Sequence, residues 1–296
     1  WNAGTSYSYN DAKLNFATLK NDVETPQAAF NNKDNYLNIK TVLERKINKI
    51  SAIRGGIELN NAHETNNFNK NYTDLLSSVF AETDLGFSNN LSAKVGVRAE
   101  NSSYLDKTNV APRFALAYRL SKDWTSSFAY GIFYQNPESK YLNSNTPLTF
   151  QKAEHYILQV QKSSEGRSFR LEAFYKDYQK LVKTFGDQYL QTAINNNGNG
   201  IAKGAEIFWR DKKTFKNIDY WVSYSFLDTK RDFMNYPISL VPSFAAKHTL
   251  SVVAKKFITD LKAGFNLSYT YASGRPYYDI VSQSGTNILR HEGTLK

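Results

Sequence analysis

Segments of about ten residues with alternating polarity recur along the whole chain, and the gaps between them are alternately short and long. The clearest example is residues 91–100, LSAKVGVRAE, where odd positions are apolar and even positions are mostly polar or charged. Such a segment is typical of a β-strand with one apolar and one polar face. A soluble sandwich has turns every 8–12 residues, roughly, but seldom alternates their lengths. A transmembrane β-barrel joins strands of ~10 residues by short turns on one side and longer loops on the other. The pattern therefore predicts an antiparallel transmembrane β-barrel.

Thirteen strands are predicted from this alternation. They are 1–10, 36–45, 51–60, 72–86, 91–101, 110–120, 124–135, 153–162, 168–178, 201–211, 218–229, 246–256 and 261–272. The long gaps are 11–35, 61–71, 102–109, 136–152, 179–200 and 230–245, and a tail follows from Ser273 to Lys296. We expect the short gaps to face the periplasm and the long gaps to lie outside the cell. Bacterial single-chain barrels have an even number of strands, and an unpaired strand edge is not tolerated in hydrocarbon. We therefore expect residues 1–296 to be one incomplete barrel domain of a longer protein.

The two parities of the predicted strands differ in composition. One parity carries apolar residues with aromatic residues at both strand ends, as in the aromatic girdles of membrane barrels. The other parity carries charged residues, whose burial in an apolar core would be costly. We predict that these charged residues face a wet lumen or the polar surface of a plug: Arg54, Arg98, Glu100, Arg113, Arg170, Glu172 and Glu206. Glycines share this parity and indicate a bend or the close approach of another backbone: Gly56, Gly96, Gly131, Gly204 and Gly264.

Composition and motifs argue against several classes of protein. No apolar run approaches 18 residues or so, which excludes a transmembrane helix. The absence of cysteine excludes disulfides and a thiol nucleophile. The four histidines lack metal-ligand spacing, and no nucleotide-binding or serine-hydrolase motif is present: His63, His155, His248 and His291. We therefore predict no catalytic, cofactor-binding or metal-binding residue, and no enzyme.

Positive charge is concentrated at the short gaps. The net charge is +10, and nearly all of it lies at the six short gaps and the strand residues beside them. There it can meet anionic phospholipid headgroups, with each Lys or Arg contributing about 1 kcal/mol. Nucleic-acid-binding proteins instead gather basic residues on one contact face. No nucleic-acid partner is therefore expected.

A series of short segments occurs in a characteristic order and spacing: Val95–Glu100, Ala111–Leu120, Ser126–Gln135, Asn136-Pro137, Tyr141-Leu142, Glu154–Tyr156, Glu172–Tyr178, Gly200–Glu206 and Ser273–Tyr277. In this order and spacing they resemble the C-terminal half of TonB-dependent receptors, particularly the Bacteroidetes-type outer-membrane β-barrel family. The resemblance implies a barrel of about 22 strands occluded by a plug. It also implies a place in the bacterial outer membrane, in contact with its lipid and lipopolysaccharide. The implied activity is TonB-driven import of a small-molecule ligand: a ferric siderophore or similar chelate, haem, cobalamin or an oligosaccharide. We expect the plug, the TonB-binding segment, the early strands and the last strands to lie outside this chain, so TonB would be contacted through the plug.

Two alternatives fit the same alternation. A passive, porin-like channel would need no plug, and a soluble all-β adhesion or interaction domain would need no lipid. For a receptor, we expect the ligand to meet first the aromatic and cationic residues of the longest loops, because rings offer large contact area at low entropic cost. The candidates are Phe185, Tyr189, Phe233, Tyr236, Arg275, Tyr277 and Tyr278. The alternative role for each ring is to pack the loops against one another.

Overall fold

The chain folds almost entirely into antiparallel β-structure in a computed structural model, which describes residues 1–20, 23–65, 71–142, 146–186 and 193–295. Within these residues, thirteen strands form one sheet in which each strand neighbours the next along the chain. They are β1 (Asn2–Lys20), β2 (Val23–Lys46), β3 (Ala52–Thr65), β4 (Asn71–Gly86), β5 (Leu91–Ser102), β6 (Lys107–Arg119), β7 (Trp124–Gln135), β8 (Gln151–Ser164), β9 (Arg167–Phe185), β10 (Ala193–Asp211), β11 (Ile218–Asp232), β12 (His248–Ile258) and β13 (Ala263–Ala272). The predicted all-β fold and its thirteen strands are confirmed.

Additional structure lies outside this sheet. Strands β14 (Arg275–Gln283) and β15 (Thr286–Leu295) pair with each other, and the short helix α1 (Ser139–Leu142) follows β7. In the described part of the chain, no helix is both long enough and apolar enough to cross a membrane.

Several strands are longer than predicted at the ends where long loops were expected. Pairing of β1 with β2 continues to Lys20 and Val23, across most of the predicted loop 11–35. In the same way β9 and β10 cover much of the predicted loop 179–200, and the tail after Ser273 contains the β14–β15 hairpin. These loop predictions are wrong because a hairpin in water is held by backbone hydrogen bonds and needs no continuous apolar face. The apolar alternation that located the other strands is therefore weak in these arms.

The residues group into two compact units. The first comprises residues 1–83, 96–112 and 136–150, and the second comprises residues 84–95, 113–135 and 151–296. In the first unit, Tyr7 pairs with Leu37 and Ile39 pairs with Leu59 on one face of the sheet, and all four side chains are exposed. The assignment of residues 1–296 to one domain stays a prediction.

In the second unit, each face keeps its chemical character from strand to strand. A row of paired residues on the apolar face consists of Leu116, Phe128, Leu158, Ala173 and Ala205. The adjacent row, one position along each strand, lies on the polar face and consists of Ala117, Ser127, Gln159, Glu172 and Glu206. Because a slip of one residue would exchange the faces, this agreement over five strands fixes which side chains share a surface.

Many of the buried apolar side chains lie at the ends of the strands where the longer connections were predicted, here called the loop ends. In the first unit these include Tyr72, Leu105, Tyr141, Leu142 and Phe150. The buried carboxylate of Asp74 there accepts hydrogen bonds from Ser102 Oγ at 2.8 Å, the Tyr104 amide at 2.9 Å and Asn136 Nδ2 at 2.6 Å. These bonds tie β4 to the segments that follow β5 and β7. The loop ends therefore have polar and apolar contacts of their own.

Candidate functional site

Three of the predicted ligand-contact residues meet at the loop ends of the second unit. The ring centroids of Phe233 and Tyr236 are 5.1 Å apart, and those of Tyr236 and Tyr278 are 5.7 Å apart. Tyr236 is only 7% exposed, and its hydroxyl accepts a hydrogen bond from the Ser243 amide at 3.2 Å. Burial raises the pKa of the Tyr278 phenol, and the neighbouring Tyr236 and Glu292 raise it further. Tyr236 therefore packs the segment that follows β11, whereas Phe233 and Tyr278 are partly accessible.

Arg231, near the end of β11, lies among aromatic rings. Its guanidinium carbon is 4.4 Å from the ring centroid of Tyr178, 5.6 Å from that of Phe233 and 5.4 Å from that of Phe244. Its Nε atom is buried without a hydrogen-bond partner among the described residues. A cation over aromatic faces is held by the ring quadrupoles, by ~0.5–1 kcal/mol or more per ring. Sequence reasoning missed Arg231. The sequence does contain a signal for this residue, because Arg231 is a cation in the predicted loop 230–245, which also contains Phe233 and Phe244.

Phe185 lies at the end of β9 beside a half-buried ion pair. Lys183 Nζ is 2.5 Å from Asp232 Oδ1 and 5.6 Å from the centroid of the Phe185 ring. Asn287 of β15 donates from Nδ2 to the carbonyl oxygen of Thr184 at 2.8 Å. The β14–β15 hairpin and the end of β9 are therefore in contact, which brings Phe185 to the same end of the second unit as the Tyr236 cluster.

The remaining ligand-contact candidates differ in accessibility. Arg275 and Tyr277 lie at the start of β14 with exposed side chains, and Tyr277 is 49% exposed. Tyr189 lies outside the described residues. The structure thus brings three candidates into one cluster, places Phe185 at the same end of the unit and leaves two candidates open to solvent.

Three of the predicted polar-face residues, Arg54, Arg98 and Glu100, belong to ion-pair networks in the first unit. Arg98 reaches Glu58 at 3.0 Å and Ser78 Oγ at 2.7 Å, and it also pairs with Glu100. Arg54 pairs with Glu44 at 2.6 Å and with Glu82 at 3.1 Å. The charges on this part of the polar face are therefore largely satisfied by one another.

The other polar-face candidates belong to the second unit and are Arg170, Glu172, Glu206 and Arg113. The strand register places all four on one face of the sheet, but no ion-pair network joins them among the described residues. Glu206 pairs directly with Glu172, and neither carboxylate has a cationic partner within 4.0 Å among the described residues. Arg170 is opposite Gln161 and Phe208 on the same face. Like charges opposite each other in a sheet are destabilising. This part of the face therefore carries charge that the described residues do not compensate. That it faces a lumen stays a prediction.

A shallow pocket lies beside Arg113, the fourth of these candidates. It encloses about 180 Å³, and its small residues include Ala115, Ala129 and Gly131. The guanidinium of Arg113 is 4.8 Å from the Phe133 ring centroid, and that ring lies 4.6 Å from the His155 ring. The pocket thus has a small-residue floor with a cation and two rings at its edge.

Aromatic rows lie at both ends of the apolar face in the second unit. At the ends joined by short turns, here called the turn ends, Trp124, Lys162, Phe169 and Trp209 pair in sequence across β7 to β10. Towards the loop ends, the rings of Tyr130, Tyr156 and Tyr175 stand 4.9 Å and 6.3 Å apart. Trp124 and Tyr134 lie ten residues apart on the same face of β7. This separation is about 34 Å along the strand, or about 26 Å along the barrel axis if the strand is tilted by about 40°. This span matches the apolar band of ~25 Å between the girdles of an outer-membrane barrel.

Comparison with known proteins identifies the family. Residues 1–290 match the profile of the TonB dependent receptor-like, beta-barrel family. The chain therefore belongs to the TonB-dependent receptor β-barrel family, as the sequence resemblance predicted. No curated protein matches the chain in sequence.

Solved structures with the same fold are receptors and transporters. A variant of the ferric enterobactin receptor PfeA from Pseudomonas aeruginosa is 12% identical with a TM-score of 0.73, covering 97% of this chain and 49% of that protein. The ferric-catecholate import receptor Fiu from Escherichia coli is 12% identical with a TM-score of 0.72, covering 92% and 51% respectively. The outer membrane transporter YddB from Escherichia coli is 9% identical with a TM-score of 0.71, covering 99% and 52%. This chain thus spans about half the length of these proteins, and at these identities the similarity shows the fold alone.

Proposed function

We propose that this chain is part of an outer-membrane receptor that imports a ferric siderophore, or a similar iron chelate, with energy supplied through TonB. The family and the iron-chelate receptors among its structural neighbours support the class of substrate. The observation that carries the membrane location is the exposed apolar face of the sheet, bounded by aromatic rows at both ends.

The apolar face is too large and too exposed for a soluble domain. Its exposed side chains include Leu158 at 53%, Leu171 at 40% and Leu267 at 70%. A contiguous apolar surface of this kind drives association in water. Contact with lipid removes the free-energy cost of exposing this surface to water, so the soluble adhesion domain is the less favourable interpretation.

The polar face suits a plug supplied by another part of the protein. Arg113 and the facing pair Glu172 and Glu206 have no partner of opposite charge within 4.0 Å among the described residues. Basic and acidic side chains on a plug would compensate them, and water in an open lumen would hydrate them. The dependence of transport on energy therefore separates a plugged receptor from a passive channel.

The loop ends supply the proposed capture surface. Arg275 and Tyr277 are exposed, and the rings of Phe233 and Tyr278 lie at the same end of the second unit. A guanidinium and aromatic side chains at the same end of the unit suit a chelate that is anionic and carries rings, because they offer charge-assisted hydrogen bonds and ring contacts. Tyr236, being buried, would support this surface and not contact the ligand.

Uptake of radioactive iron tests the proposal. Cells of the source bacterium with and without the full-length gene, each with TonB intact or deleted, are supplied with ferric catecholate and ferric hydroxamate chelates. We expect uptake of at least one chelate to require both the receptor gene and TonB. Uptake that persists without TonB would support a passive channel, and uptake of haem or an oligosaccharide but of no iron chelate would contradict the substrate class.

A further inference from the structure

The turn end of the apolar face carries three hydrogen-bond donors without acceptors among the described residues: Lys162 Nζ, Trp124 Nε1 and Trp209 Nε1. Lys162 pairs with Trp124 on one side and with Phe169 on the other. The Trp124 and Phe169 ring centroids are 5.9 Å apart, and those of Phe169 and Trp209 are 6.2 Å apart. The ammonium group of Lys162 lies 5.7 Å from the centroid of the Trp124 ring. One cation and two indole donors are thus gathered along a continuous row of rings.

Lysines on this face differ in whether a carboxylate of the described residues pairs with them. At the loop ends, Lys203 lies 3.5 Å from Asp228 and Lys152 lies 2.5 Å from Glu154. At the turn ends, Lys162 and Lys256 have only apolar or aromatic cross-strand neighbours and no carboxylate partner among the described residues. Lys203 and Lys152 are therefore neutralised within the chain, whereas Lys162 and Lys256 are available to an anion from outside it. Lys230, which lies opposite Ile201 on the same face at the loop end, also has no carboxylate partner among the described residues.

The surface that adjoins the donors is apolar. Val160, Leu171 and Ile207 each lie two residues along their strands from Lys162, Phe169 and Trp209 and so share the same face. Leu171 and Ile207 are both 40% exposed. A ligand that fits both parts has an anionic oxygen-rich head and an apolar tail. A free anion would gain nothing from this surface.

We propose that Lys162, Trp124 and Trp209 bind the phosphodiester headgroup of an anionic phospholipid in the leaflet at the turn ends. The lysine ammonium group meets the phosphate charge, and the indole N–H groups donate to phosphate or ester oxygens. The acyl chains lie along Leu171 and Ile207. Long lysine side chains reach the interface in this way while their stems cover apolar surface. The inference rests on the proposed membrane location, but not on the identity of the imported ligand.

Native mass spectrometry of the full-length receptor in mild detergent tests the site. The probes are phosphatidylglycerol, phosphatidylcholine and glycerol 3-phosphate, each titrated at equal concentrations. We expect phosphatidylglycerol to bind more tightly than phosphatidylcholine, and glycerol 3-phosphate not to bind measurably. Lys162→Gln should weaken phosphatidylglycerol binding by about fivefold, the factor for one lysine near an anionic surface. Trp124→Phe and Trp209→Phe keep the rings and remove the donors, and each should weaken binding as well.

Lys203→Gln is the matched control, because it removes one positive charge from the same face at the loop end. It should leave phosphatidylglycerol binding unchanged. Equal losses for Lys162→Gln and Lys203→Gln, or no preference for phosphatidylglycerol in the unmodified receptor, would overturn the site. Binding of glycerol 3-phosphate as tight as that of phosphatidylglycerol would reduce it to a general anion site. Heat-modifiable migration on gels confirms that each variant is folded. Iron uptake is a separate readout, so a failed lipid site and a failed transport function are distinguishable.

Discussion

Two adjacent residues of β8 provide a stringent test of the two-faced sheet. Leu158 lies on the apolar face in the row with Leu116 and Phe128, and Gln159 lies on the polar face opposite Glu172. Leu158→Arg and Gln159→Arg introduce the same side chain one position apart. Only the direction in which the side chain leaves the strand differs between the two variants.

The expected magnitudes follow from these surroundings. Leu158 is four residues from the turn-end row at Lys162 and six from Lys152, which pairs with Tyr134, so it lies near the middle of the apolar band. An arginine at the bilayer midplane of a barrel costs about 2–4 kcal/mol. At position 159 the arginine is directly opposite Glu172, and Glu206 lies on the next strand beyond Glu172. The described residues leave both carboxylates without a cation, so the arginine should cost less than about 1 kcal/mol or stabilise. A difference of about 2 kcal/mol corresponds to ~30-fold in the folding equilibrium.

The assay is urea unfolding of the full-length receptor in phosphatidylcholine vesicles. Tryptophan fluorescence and heat-modifiable gel migration follow the folded fraction, and each variant is compared with the unmodified protein. We expect a clear loss for Leu158→Arg and little change for Gln159→Arg. Equal losses, or a larger loss for Gln159→Arg, would refute the assignment of the apolar face to lipid.

Three further outcomes are expected from the same unfolding assay. Gly204→Ala should cost about 1–3 kcal/mol by overpacking, because a Cβ there would clash with the backbone oxygen of Phe226. Gly264→Ala meets its nearest atom at 3.9 Å and should be tolerated. Arg98→Leu should cost about 1.5–3 kcal/mol by leaving Glu58 without its charged hydrogen bond, and Arg98→Lys should recover part of the loss. Hydrogen bonds from the 212–217 turn hold the pKa of the Asp211 carboxylate well below its usual range. The ionised carboxylate therefore stabilises the folded state above its unfolded-state pKa of about 4, and this effect is lost as the pH falls towards the folded-state pKa. The difference in the free energy of unfolding between the unmodified protein and Asp211→Asn should shrink between about pH 5 and about pH 2.

The strand number and the face of each strand could be read from the sequence because side chains alternate with a period of two. Val97 and Arg98 are adjacent, and an error of one residue would have exchanged them. The structure places Arg98 in a network with Glu58 and Glu100 and leaves Val97 exposed, as that parity requires. The short turns could also be located from the sequence, because each interrupts a strong alternation of apolar and polar residues.

The loop ends could not be read because their contacts depend on register between distant strands. Nothing in the local sequence joins Arg231 to Tyr178 or Asn287 to Thr184, yet these pairs organise one end of the second unit.

The role of the glycines on the polar face could not be predicted from the local sequence either. Gly204 pairs with Phe174 and would clash with its ring if a Cβ were present, so the ring lies over the glycine. That cross-strand pairing is specified by the register of β9 and β10 and not by either sequence alone.

The two faces of the sheet leave little freedom for ligand specificity along the middle of the strands. In the proposed receptor one face meets lipid and the other meets a plug or water, so most substitutions there are constrained by stability. The loop ends are different because they have their own buried contacts, around Asp74 in the first unit and around Tyr236 and Arg231 in the second. Side chains outside those contacts, such as Arg275 and Tyr277, can change without loss of packing. Under the proposed function, ligand specificity is therefore expected to reside in such exposed loop-end residues, supported by a packed layer beneath them.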